Sequence, residues 1–170
     1  PVTAAAWSPN GAVLATSHAD NSLRVRRTYA GTTFGETRDL PEVLKRLAYS
    51  PTNNQIAGAG DGSQLYLLDA GPIAFPTDGK QPVSLMGKPP EPYDPITLAG
   101  HTGPVRALVY AADGASLFSA SEDGMVRQWD ALTGLPGPTR SPQQGPLHAL
   151  ACSTDGRWLA AAGQSGKILL

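Results

Sequence analysis

Residues 100–130 read GHTGPVRALVYAADGASLFSASEDGMVRQWD and contain His101, Ser119 and Asp123, followed by Trp129. A serine, a histidine and an aspartate are the residue types of a hydrolase triad, with Ser119 as attacker, His101 as base and Asp123 as orienter. The local sequence argues against that chemistry. Ser119 lies in the apolar alternating run LFSAS, which reads as strand, and lacks the Gly-x-Ser-x-Gly elbow that lifts a nucleophile into the open. No catalytic residue is therefore expected.

Other residues invite chemistry and fit it less well. Gly58-Ala59-Gly60-Asp61-Gly62 has the glycine density of a phosphate loop. It has neither the full dinucleotide fingerprint nor a Gly-Lys-Ser/Thr ending, and no helical pattern follows it. Arg24, Arg26, Arg27, Arg38, Lys45 and Arg46 concentrate six of the 13 basic residues. Glu36, Asp39 and Glu42 interrupt that run and no aromatics interleave, so a solvated face is favoured over a nucleic-acid surface. His18, His101 and His148 share no ligand spacing, and no metal site is expected. Cys152 stands alone, which rules out an internal disulfide and suggests a buried apolar thiol. No cofactor is implied.

The elements that would hold these residues form a repeat. Trp7, Tyr49, Tyr110 and Cys152 mark one register position, separated by 42, 61 and 42 residues. Around them, residues 2–14, 44–56, 105–117 and 147–159 align without gaps as strand, turn, strand. Their turns carry Asn10-Gly11, Thr52-Asn53-Asn54, Asp113-Gly114 and Asp155-Gly156. Asn-Gly and Asp-Gly supply the positive φ angles of tight hairpins. The first strand has a position that is polar in every copy: Thr3, Lys45, Arg106 and His148. A second hairpin follows each first one, turning after His18, at Asp61-Gly62, at Asp123-Gly124 and at Ser165-Gly166. Outer strands are expected at Arg38-Asp39-Leu40, Ile96-Thr97-Leu98 and Pro138-Thr139-Arg140, where edge strands carry weak patterns. The odd interval contains a proline-rich insertion of 19 residues within about 70–95. It is favoured as a stiff exposed loop, with a docking peptide as the alternative.

A period of roughly 40–45 residues, opening on Gly-His and closing on Trp-Asp, is the signature of a β-propeller blade. The copy with Gly100-His101, Asp123-Gly124 and Trp129-Asp130 resembles a repeat of the WD-repeat (WD40) family, and the other three copies match it in architecture. The resemblance implies an all-β partial propeller, an open arc of three four-stranded antiparallel blades plus three strands of a fourth. The blades would span about 1–40, 41–99, 100–142 and 143–170 of a single domain. It also implies that His101, Ser119, Asp123 and Trp129 form the family's structural tetrad, a hydrogen-bond chain ending on the indole N–H, rather than a triad. The first copy keeps Thr16 and Asp20 but has Arg26 at the Trp position, where an Arg26–Asp20 ion pair is expected. The second copy has Leu40, Gly58, Gly62 and Leu68 at the four positions, and the fourth has Gln143, Ala161 and Ser165.

Composition fits this reading. The chain of 170 residues has 16 prolines and 19 glycines, 41 % hydrophobic and only 6 % aromatic residues, which suits many short strands and turns rather than disorder. A net charge of −1 recruits neither nucleic acid nor an anionic membrane, and no run approaches the ~18 apolar residues of a membrane span. The chain opens on Pro1 inside a repeat, so it reads as an excerpt whose end blades expose apolar faces and which is expected to be poorly soluble or to self-associate in isolation. Targeting is left open, with the cytoplasm favoured. The expected function is non-catalytic binding of a protein or peptide at loops carried on a rigid frame. The rim formed by the second-to-third strand turns and the loops entering each first strand offers His18, Asp20, Asp61, Gln64, Thr102, Glu122 and Met125. Two rival readings are a sensor or regulatory arm of a bacterial kinase- or cytochrome-linked protein and a propeller enzyme of hydrolase or oxidoreductase type.

Overall fold

In a computed structural model of the chain, residues 1–28, 33–37, 39–69, 95–142 and 145–169 are described. The proline-rich insertion through residue 94, together with Arg38 and Gln143, lies outside them. The strands are β1 (Val2–Trp7), β2 (Val13–His18), β3 (Leu23–Arg27), β4 (Thr33–Thr37), β5 (Arg46–Tyr49), β6 (Gln55–Ala59), β7 (Leu65–Asp69), β8 (Ile96–Leu98), β9 (Val105–Tyr110), β10 (Ser116–Ser121), β11 (Val126–Asp130), β12 (Pro136–Arg140), β13 (Leu147–Cys152), β14 (Leu159–Gly163) and β15 (Ile168–Leu169). They pair antiparallel in chain order into three four-stranded sheets and one three-stranded sheet. Every pairing is thus between sequence neighbours, the meander that short hairpin turns dictate. The glycines of the expected first turns, Gly11, Gly114 and Gly156, have φ of 68°, 69° and 70°.

One expected outer strand is misplaced. The strand pairing with β3 is Thr33–Thr37, not Arg38-Asp39-Leu40. Asp39 adopts φ of 59°, which ends extended structure, and Leu40 then turns inward to join a buried cluster with Leu44. The other two outer strands fall where expected, at β8 and within β12.

The core lies between the sheets. Val13, Ala15, Leu23 and Val25 of the first sheet pack against Leu44, Ile56, Tyr66 and Leu68 of the second. Ala57, Ala59, Leu65 and Leu67 repeat this against Val105, Tyr110, Leu117 and Trp129 of the third. Ala120 and Val126 meet Leu147 and Ala161 of the fourth in a smaller cluster. The second and third sheets are therefore buried on both faces by their neighbours, as stacked repeats require. The inner strands β1, β5, β9 and β13 contact one another in sequence, so they line a common inner side.

Candidate functional site

The four residues of the 100–130 segment meet. β11 carries Trp129 opposite Leu117, which places its indole over the neighbouring strand β10, where Ser119 sits. Trp129 Nε1 donates to Ser119 Oγ at 2.8 Å, Ser119 Oγ lies 2.8 Å from His101 Nε2, and His101 Nδ1 lies 2.8 Å from Asp123 Oδ2. The backbone N–H groups of Thr102 and Met125 also donate to Asp123, at 3.0 and 2.9 Å. An indole N–H only donates, so the serine oxygen accepts it. With the histidine neutral, its one proton sits on Nδ1, donated to the carboxylate, and the serine proton goes to Nε2. Burial favours this neutral form by lowering the His101 pKa, outweighing the opposing hydrogen bond and charge of Asp123. Burial pushes the Asp123 carboxyl up, but the Thr102 N–H, the His101 side chain and the Met125 N–H together hold it below its ordinary value.

These distances alone would suit a triad. Burial decides otherwise: Ser119 has no exposed surface and its hydroxyl is capped by the Trp129 indole. A substrate carbonyl has no approach to that oxygen. The adjoining Asp130 organises the next turn, accepting from the Leu132 and Thr133 N–H groups at 3.0 and 2.7 Å.

The other blades fill the same positions differently. In the first, Thr16 Oγ1 pairs with His18 Nε2 at 3.0 Å. Asp20 pairs with Arg24 at 2.9 Å, which corrects the expected Arg26 partner. Arg26 lies two residues further from the turn, roughly 6–7 Å along the strand. Arg24 also reaches Glu36 at 2.8 Å. In the second blade Leu40 is buried at the histidine position, and Glu42 Oε2 accepts the Gly62 N–H at 3.0 Å. A carboxylate two residues along thus takes over the turn of Gly58-Ala59-Gly60-Asp61-Gly62, which is a hairpin turn between β6 and β7. In the fourth, Ala161 is buried and Ser165 sits in the turn before β15.

The rim has a structure that composition concealed. Lys45 pairs with Asp61, and Arg106 pairs with Glu122 at 2.6 Å. These are equivalent positions in successive blades, an inner-strand cation answering an acid at the end of the second strand. Arg106 also lies 3.8 Å from Asp61, which links the two blades. Arg46 Nε adds a bond to the Arg106 carbonyl at 2.9 Å. The register shows why Arg106 points outward. Pairing skips Thr3, Arg106 and His148, each of which sits in a β-bulge. A bulge re-aims its extra side chain. In the sequence Lys45 and Arg106 were legible as one polar register position, and Glu42 only as a charge. The usable signal was the spacing, since Lys45–Asp61 and Arg106–Glu122 share one separation and one register.

Of the rim residues named from sequence, Asp20, Asp61, Gln64 and Thr102 are exposed, and Glu122 and Met125 are half-buried. Gln64 accepts from the Tyr66 hydroxyl at 3.1 Å. His18 is buried, because its ring turns in toward Thr16, and it offers no surface at the rim. His148 is exposed on β13. Cys152 is half-exposed rather than buried. A cleft of about 540 Å³ opens between the third and fourth blades, lined by Val126, Arg140, Arg157, Trp158 and Leu159 among others. It brings together two cations and an indole, with no acid or histidine. Among the described residues no group of three His, Cys, Asp or Glu side chains is placed to hold a metal ion, and no helix is long and apolar enough to cross a membrane.

Four-stranded meander sheets packed face to face with their first strands inward define a propeller-type repeat protein. The model of the WD domain, G-beta repeat, family matches residues 1–26 and 95–130. The chain is 25 % identical to the target of rapamycin complex subunit wat1 of Schizosaccharomyces pombe over 92 % of its length and 44 % of that protein. It is 28 % identical to eukaryotic translation initiation factor 3 subunit I of Aspergillus fumigatus over 75 % of its length and 36 % of that protein. It is 37 % identical to the small ribosomal subunit protein RACK1z of Arabidopsis thaliana over 41 % of its length and 21 % of that protein. A chain of a crystal structure of the mitotic checkpoint complex superposes with a TM-score of 0.73 at 21 % identity, covering 95 % of this chain and 44 % of that one. The chain matches the WD-repeat family model over these two stretches and has the fold of a partial β-propeller. It spans less than half the length of the curated relatives it matches.

Proposed function

We propose that the chain is a non-catalytic binding module that takes a protein or peptide on its bulge-side rim. The carrying observation is the charge ladder Lys45, Asp61, Arg106 and Glu122, which presents alternating charges across two blades at fixed spacing. Backbone hydrogen bonds and bulges fix the strands beneath it, so a partner meets a preorganised surface. Relatives named as subunits of a target of rapamycin complex, of an initiation factor and of the small ribosomal subunit support a scaffold reading. The network of His101, Ser119, Asp123 and Trp129 serves as a structural tetrad in this reading and stabilises the frame.

Nucleic acid fits less well, since among the basic residues Arg24 and Lys45 are paired with acids and Arg46 is bonded to backbone carbonyls. The test is cross-linking capture from the source cell with the wild-type chain, an Asp61→Lys/Glu122→Lys variant and an Arg157→Glu variant on the opposite rim. Loss of a discrete partner in the first variant alone supports the rim. Unchanged capture by all three proteins overturns it. A serine-directed phosphonate probe tests the enzyme alternative: labelling abolished by Ser119→Ala would overturn the non-catalytic reading.

A further inference from the structure

Ser-Pro occurs three times, at Ser8-Pro9, Ser50-Pro51 and Ser141-Pro142. The repeat accounts for the first two. Each follows the register residue of its blade, Trp7 or Tyr49, and opens the first hairpin turn. Ser8 is buried, its hydroxyl donating to Asn10 Oδ1 at 2.8 Å and accepting the Val13 N–H at 2.9 Å. Ser50 is fully buried and accepts the Thr52 N–H at 3.4 Å. Ser141 has no such duty. It lies outside the repeated register, directly after β12, exposed and with no hydrogen bond from its hydroxyl among the described residues. Pro142 has no N–H to continue a ladder and biases Ser141 towards extended backbone.

The surroundings of Ser141 are also particular to this junction. Ser141 lines the cleft between the third and fourth blades together with Arg140 and Arg157. Val126, Leu159 and Ala161 supply its apolar lining and belong to the cluster that joins these two blades. Arg140 pairs in register with Val126 as Leu98 pairs with Leu65 in the second blade, where Leu98 is buried. Arg157 stands two residues past the turn aspartate, as Ala115 does in the third blade. Where the second and third blades present a leucine and an alanine, the third and fourth therefore bring up two guanidinium groups. The acid within reach of Arg157 is Asp155, at 3.9 Å and exposed, and no acid lines the cleft.

We propose that Ser141 is a phosphorylation site for a proline-directed serine kinase, its phosphate held by Arg140 and Arg157 so that it ties the third blade to the fourth. In the transfer, Ser141 Oγ forms the new bond to the γ-phosphorus of magnesium-bound ATP. The bond from that phosphorus to the β–γ bridging oxygen breaks, and ADP leaves with the electron pair. The hydroxyl proton passes to the carboxylate base of the kinase. The product carries nearly two negative charges and three acceptor oxygens, which suit a pair of guanidinium donors. The junction it reinforces has the least extensive cluster of the three.

The experiment treats the full chain with a purified proline-directed kinase and magnesium ATP, maps the phosphate by fragmentation mass spectrometry, and then follows amide exchange. The expected result is one phosphate, on Ser141, with Ser8 and Ser50 unmodified and none taken up by Ser141→Ala. Exchange in β14 should slow by about two- to fivefold on phosphorylation, the scale of exposed charge pairs. That slowing should vanish in phosphorylated Arg157→Gln and at about 1 M salt. A chain left unlabelled at Ser141, or labelled first at Ser8 or Ser50, would overturn the site. Unchanged exchange in the phosphorylated wild type, or full slowing retained in Arg157→Gln, would overturn the bridge between blades. Equal slowing of Ser141→Ala by inorganic phosphate would make the cleft a site for a free anion and sink the covalent source. None of these outcomes bears on the rim, whose Lys45, Asp61, Arg106 and Glu122 are untouched.

Discussion

At the scale of single residues, the hydrogen-bond chain through His101 works with one arrangement of protons, and this makes it vulnerable in predictable ways. Ser119→Ala removes both an acceptor for the Trp129 indole and a donor to His101 Nε2. Two fully buried groups are left unsatisfied, and the expected cost is about 1–3 kcal/mol in denaturant unfolding. Ser119→Thr retains the hydroxyl and should cost less, as Thr16 at the same position of the first blade shows. Acid attacks the same chain. A protonated Nε2 cannot accept the serine proton, and burial has already lowered the His101 pKa below 6.5 in the folded state. Between those two pKa values the unfolded chain binds the extra proton, so stability falls as pH drops below about 6.5 and levels once the folded histidine titrates. His18, also lowered, chiefly by burial and then by Arg24, adds to the same slope. Asp123 is held low in the fold, so its contribution is present above its ordinary range and is lost on further acidification. The midpoint of thermal unfolding should therefore fall from pH 7 to 5, with His101→Gln flattening part of that fall. An unchanged slope in His101→Gln would place the sensitivity elsewhere.

Among elements, the strands and turns were legible because their physics is local. Alternating apolar runs, Asn-Gly and Asp-Gly turns and a shared register fix the hairpins without reference to neighbours. What escaped was set across elements. β4 pairs by backbone hydrogen bonds that need no particular side chain, while Leu40, apolar and so assigned to the strand, belongs to a cluster built with Leu44. The Asp20 partner could not be chosen between Arg24 and Arg26 by residue type, only by distance along β3. Likewise the candidate network at Trp129 was visible through motif residues, whereas the Arg106–Glu122 pair depends on a bulge that leaves no composition mark. The second blade shows a further dependence between elements. A Cβ at Gly60 would meet the Val43 carbonyl oxygen at 2.6 Å and the Glu42 carboxylate more closely still. Gly60→Ala should thus destabilise by about 1–3 kcal/mol through overpacking. Gly156→Ala, with nothing within 4 Å, should cost only its left-handed strain of about 1–2 kcal/mol. If Glu42→Ala fails to relieve any of the Gly60→Ala loss in a double-mutant cycle, the backbone carbonyl alone sets the cost.

For the whole molecule, stability in stacked repeats is approximately a sum of blade and interface contributions, so a blade's protection depends on how many of its faces are covered. The second and third blades are packed on both faces, by the two larger clusters and by the smaller one beyond. The first and fourth each have one covered face, and the fourth has three strands and the least extensive cluster. Amide hydrogen exchange on the dilute chain should accordingly rank the blades, with β6 and β10 slowest, β2 faster and β14 fastest. Exchange that is uniform across the four blades would instead mean that the arc opens as one unit, with no blade standing on its own interfaces.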